Sequence, residues 1–89
     1  MHRQEFEILS GESNTVVIRH PLRHFPGCLI QGDSLHILLQ SLAIVQSEAG
    51  RLSEEAAGEL DGVVEKLSDL MLHYRAALIS HDIPFPFDD

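Results

Sequence analysis

From Leu35 onward, apolar residues recur at the interval of a helix. Positions 35, 38, 39, 42, 45 and 49 share one face of a helix expected over 34–49. Ile37 and Ile44, seven apart, form a second apolar strip on the same helix. A helix apolar on two sides is expected to be covered twice, by a sheet on one side and by a second helix or another subunit on the other. Gly32-Asp33-Ser34 precedes this run and offers an N-cap oxygen for a helix starting near Leu35. Gly50-Arg51 interrupts the pattern, and Ser53 then gives a second start signal, with Glu54 and Glu55 at the positive end of the helix dipole. In the second helix, expected over 53–81, Ala56, Leu60, Val63, Val64, Leu67, Leu70, Met71, Tyr74, Leu78 and His81 make one wide stripe. Glu59, Asp61, Glu65, Lys66 and Asp69 make its solvated face.

The first third of the chain has a different period. Phe6-Glu7-Ile8-Leu9 and Thr15-Val16-Val17-Ile18 are short runs rich in aromatic and β-branched residues. The five residues between them, Ser10 to Asn14, include Gly, Ser and Asn and predict a β-hairpin loop. Pro21 and Pro26 remove backbone donors and disfavour helix, so 20–27 is read as a bent connection ending at Gly27. Cys28-Leu29-Ile30-Gln31 reads as a third short strand, and Ile83-Pro84-Phe85-Pro86-Phe87 as an extended tail over 82–89. The fold class expected is α+β: a small N-terminal antiparallel sheet within 5–31, followed by an antiparallel two-helix hairpin packed on the sheet's inner face. At 89 residues this is one expected domain, burying about 60–65% of the surface of its unfolded chain.

Composition narrows the partners. A formal charge of -8 repels phosphate backbones, so nucleic acid is not expected, whereas a basic protein surface is acceptable. Protonating all six His would bring the charge to -2, so solubility should fall towards the pI near 5.0. The single Cys28 excludes an internal disulfide and a Cys-based zinc site, which suits a reducing, cytoplasmic setting. The opening MHRQEFEIL lacks the apolar core of a secretory signal, and no segment reaches the ~18 consecutive apolar residues of a membrane span.

The stretch Arg19 to Pro26 holds two Arg, two His and two Pro. Arg19 and Arg23 offer planar forks of donors, and the helix start at Gly32, Asp33 and Ser34 offers backbone N–H groups that favour negative charge. Together these five residues are the candidate anion or partner contact. The simpler reading is a salt bridge from Asp33 to Arg19 or Arg23 that pins the loop, since Asp33 puts its own charge where an anion would sit. His20 and His24 are four apart, but Pro26 stops any helix that would align them, and a metal is not expected even with Cys28, Asp33 or His36 nearby. Cys28 sits in an apolar run and is expected to be a small buried core residue. Ser34 and His36 point about 200° apart on a helix and cannot form a nucleophile and its base. The carboxylates of the second helix lie on its wet face, and there is no Gly-rich phosphate loop. No catalytic residue, cofactor or metal is therefore expected. Phe85 and Phe87 could anchor a short linear ligand, but folding back over exposed core is the preferred reading.

The run Phe25-Pro26-Gly27, Ile30-Gln31-Gly32-Asp33-Ser34-Leu35, with Arg19, Pro21 and Arg23 before it, resembles a small uncharacterised bacterial domain family. That family pairs an FPGxxIQGDSL-type stretch with a helical hairpin and a Pro-containing end. Leu22, where relatives often carry Gly, departs from the pattern, and His20 and His24 lie outside it. The resemblance implies a bacterial, cytoplasmic accessory domain and carries no activity. Two functions are expected from the whole reading. The first is a non-enzymatic interaction module, of immunity or regulatory type in one version, that forms a homodimer or meets a basic partner. The alternative is a small anion-binding protein or enzyme using the Arg19–Arg23 loop and the helix start.

Overall fold

The structure, a computed structural model, describes residues 3–12 and 15–88. Its elements follow the order β1 (Glu7–Glu12), β2 (Thr15–Arg19), β3 (Gly27–Leu29), α1 (Gly32–Ser47), a 3-10 turn (Ala49–Arg51) and α2 (Glu54–Ser80). This is the α+β arrangement that the periodicity predicts. The chain divides into two compact units, Met1–Gln31 and Gly32–Asp89, which are described in turn.

The first unit is a three-stranded antiparallel sheet of order β1-β2-β3. The β-branched run Thr15-Val16-Val17-Ile18 forms the central strand, where its residues from Val16 on are half-buried. Pairing of β1 with β2 runs from Glu7↔Arg19 to Glu12↔Thr15, so three residues of the expected loop belong to the strand. The other two, Ser13 and Asn14, lie outside the described residues. Register passes from Ile8↔Ile18 to Ser10↔Val17, which leaves Leu9 as an inserted residue in β1. The third strand is shorter than its apolar run: β3 pairs only Gly27, Cys28 and Leu29 with β2. The reason is that α1 starts at Gly32, two residues before its expected start, so Ile30 and Gln31 must already turn out of the strand. A three-residue edge strand covers little, and all its residues are exposed.

The second unit is the helical hairpin. Its antiparallel register is visible at both ends, where Gly32 lies against the ring of Tyr74 and Gln46 donates to Asp61 Oδ1 at 3.3 Å. Between them Leu35 is 2% exposed and Met71 5%, and these two form the centre of the core. Leu39, Leu42, Gln46 and Ala49 of the first helical run, and Leu60, Val64, Leu67, Tyr74 and Leu78 of α2, are half-buried beside them. The covered face of α1 is thus rotated from the expected one: Gln46 takes part, whereas Leu38 and Val45 are exposed. The wide stripe of α2 narrows similarly, leaving Ala56, Val63, Leu70 and His81 exposed. Two helices in contact share only about a third of each circumference, so residues some 80° from the contact line stay outside.

Both ends of α2 are capped. The Ser53 hydroxyl accepts from Ala56 N at 3.1 Å, as the second start signal predicts. At the other end, Ile83 N donates to Leu78 O at 2.9 Å and Asp82 N to Ile79 O at 3.2 Å, the paired bonds of a Schellman cap. Asp82 is the left-handed residue of that cap, with φ of 56°. An L side chain there costs about 1–2 kcal/mol, and a carboxylate at a helix C-terminus opposes the dipole. Glycine removes both terms but loses ~0.5–1 kcal/mol of backbone entropy. Asp82→Gly is therefore expected to stabilise by roughly 0.5–1 kcal/mol, seen as a higher urea midpoint at unchanged slope. A lower midpoint would show that the Asp side chain itself holds the cap.

Candidate functional site

The Arg-rich corner is built by local bonds within the first unit. Pro21 supplies the fixed φ of a turn closed by Arg23 N donating to His20 O at 2.9 Å. Leu22 N donates to His20 Nδ1 at 3.0 Å, which leaves the ring's proton on Nε2. The Phe6 ring meets the same imidazole edge-on, with centroids 4.7 Å apart. Arg19 Nη2 pairs with Glu7 Oε2 at 2.8 Å across the β1–β2 register, and Arg19 Nη1 reaches His24 O at 3.5 Å. The salt bridge that pins the corner is thus made to Glu7. Cross-strand geometry explains this choice, because directly paired residues have their Cβ atoms about 5 Å apart whatever the rest of the chain does. Arg23 is exposed, as are Leu22 and Phe25 beside it.

At the helix start, Gly32 is buried while Asp33 and Ser34 are exposed. Asp33 Oδ1 accepts from Ser34 N at 2.8 Å, so its carboxylate already occupies the positive end of α1. Gly32 has a packing role that its place in the loop motif did not reveal: a Cβ there would overlap the Tyr74 ring. Of the candidate contacts, then, Arg19 is held by Glu7 in one unit and Asp33 by its neighbour's amide in the other.

Cys28 departs from expectation. It is exposed, on the three-residue edge strand β3, all of whose residues are exposed. Among the described residues, no three His, Cys, Asp or Glu side chains come together in a way that could hold a metal ion. No helix of the described residues is long and apolar enough to cross a membrane.

The tail forms a cluster that the sequence signalled only by its Pro-spaced aromatics. Phe87 stacks on His36 of α1, with centroids 4.1 Å apart and planes 2° from parallel. Phe85 stacks on Phe87 at 5.6 Å, and the Arg75 guanidinium of α2 lies 5.2 and 4.9 Å from the two ring centroids. The tail therefore folds back and straps the two helices together, leaving Phe85 and Phe87 half-buried.

On a different side of the hairpin, apolar side chains stay exposed. Ile37 and Ile44 of α1 are 61% and 70% exposed, and Leu38, Val45, Val63 and Leu70 are also exposed. In an antiparallel pair whose contact line runs through Leu35 and Met71, Leu38 and Val45 of α1 flank the same side as Val63 and Leu70 of α2. Periodicity marks most of these residues as core; their shared outward side emerges only from the register of the two helices.

No curated protein and no solved structure gives a significant match to the chain. A family model does match, over residues 1–87, and with nearly every residue covered the chain belongs to that family of unknown function, DUF6959.

Proposed function

We propose that this protein is a non-enzymatic interaction module of a bacterial cytoplasm and that the uncovered side of its helical hairpin is the working surface. The observation that carries the reading is the exposure of Ile37 and Ile44, at 61% and 70%, beside exposed Leu38, Val45, Val63 and Leu70. Single exposed apolar residues need no explanation, but a contiguous patch on a small domain marks a docking surface. The acidic face of α2, with Glu59, Asp61, Glu65 and Asp69 exposed, keeps such a protein dissolved and steers its encounters.

A photoreactive benzophenone amino acid placed at Ile44, and at Glu65 as a control, tests this in cells that express the chain. Protein adducts of identified mass are expected from position 44 and not from 65. Adducts from neither position, or equally from both, overturn the proposal. The anion-binding alternative rests on the exposed Arg23 of the Arg19–Arg23 loop. Phosphate and small carboxylates are expected to leave the melting temperature unchanged, and a rise abolished by Arg23→Ala would put anion binding in place of the present reading.

A further inference from the structure

The outward side of α1 has the same spacing of large apolar residues in both directions about Ser41. Around Ser41, positions 37 and 38 are Ile and Leu, and positions 44 and 45 are Ile and Val. The four large residues are exposed and Ser41 lies exposed between them. Reversing the helix about Ser41 exchanges Ile37 with Val45 and Leu38 with Ile44, so the surface is its own complement when a second helix runs antiparallel. Such a self-complementary patch is what a two-fold interface requires, since one surface must serve both partners. The small hydroxyl at the centre allows close approach, as small residues do where helices cross.

Resting on the reading of this side of the hairpin as the working surface, we propose that a second copy of the chain covers it, with the two α1 helices antiparallel across a two-fold axis at Ser41. Charge supports this occupant over the others. The five α1 positions carry no ionisable group, so this strip by itself selects neither a basic nor an acidic partner. A membrane surface is disfavoured because α1 has no Lys or Arg to flank an apolar face, and the chain carries -8. Size also suffices. The 16 residues of α1 span about 24 Å, and two neighbouring helices present a face about 20 Å wide. That is roughly 500 Å² on each copy, reaching the ~1,000 Å² in total that separates specific interfaces from incidental contacts.

The purified chain is expected to sediment at twice 9.9 kDa at micromolar concentration. Added salt should tighten the dimer, because it screens the repulsion between two acidic chains while leaving apolar contact intact. Ile44→Glu would bury two like charges near the axis and should weaken the dimer by about 100-fold or more, with unchanged helical circular dichroism. In a Cys28→Ser background, Ser41→Cys should oxidise to an intermolecular disulfide, and Gln40→Cys, one residue round the helix, should not. A wild-type chain that stays at 9.9 kDa up to millimolar concentration overturns the second copy. So do equal cross-linking at 40 and 41 and a loss of helix in Ile44→Glu unaccompanied by cross-linking at 41. With a monomeric pure chain, benzophenone adducts from position 44 to some other protein would leave the interaction reading standing, whereas the absence of any adduct would remove both.

Discussion

Leu35→Ala is expected to destabilise the hairpin by about 2–4 kcal/mol, while Ile44→Ala on the same helix, in dilute solution, costs under about 1 kcal/mol. The two side chains are equal in size, and the difference lies in their surroundings: Leu35 is 2% exposed and Ile44 70%. Removing three carbons from Leu35 leaves a void against α2 at the level of Met71, and the cavity adds to the lost transfer energy. Removing them from Ile44 takes apolar surface out of water that was largely in it already. For a domain of 89 residues, with an expected total stability near the low end of about 5–15 kcal/mol, the Leu35 variant should be partly unfolded at body temperature. Urea midpoints at constant slope measure both effects. Equal losses at the two positions would mean that the inward face of α1 is not the one through Leu35.

Gly32→Ala should cost about 1–3 kcal/mol, although alanine is the better helix former. Two terms compete. Propensity favours alanine over glycine by at most ~1 kcal/mol, and by less at the first residue of a helix, where glycine loses little. Against this, a Cβ added at position 32 would overlap Cζ, Cε2 and the hydroxyl of Tyr74, so the ring must leave the place where it closes the hairpin. Overpacking of that kind costs about 1–3 kcal/mol, and it wins. The cause can be isolated with a double-mutant cycle. In a Tyr74→Ala background the overlap disappears, and Gly32→Ala should become neutral or slightly stabilising. A persistent loss in that background would place the need for glycine in the backbone rather than in the ring. Because Gly32 belongs to the Ile30-Gln31-Gly32-Asp33-Ser34-Leu35 stretch, the cycle also asks whether that stretch is a packing motif.

The candidate contact is legible in its residue types and not in its pairings. Arg19 reads as a cation in need of an acid, and the acid is Glu7, twelve positions earlier in the chain and directly opposite on β1. That partner depends on the inserted Leu9 and the hairpin register, neither of which leaves a mark in composition. Cys28 misleads for a related reason. An apolar run predicts burial only if something covers it, and β3 is an edge strand of three residues.

Local chemistry was decided by the sequence alone. The β-branched runs became strands, Pro21 made the corner, Ser53 capped α2, and turn-of-helix spacing marked both helices to within about two residues at each end. These features need only near neighbours, so a single chain read in order contains them. The tertiary structure decided everything that depends on which surfaces meet: which apolar stripe of α1 faces inward, why residue 32 has no side chain, where Phe85 and Phe87 lodge, and which side of the hairpin is left bare. Periodicity names the residues on a helical face, but it is silent about what covers that face, because hydrophobic burial is non-directional and any apolar surface of the right shape will serve.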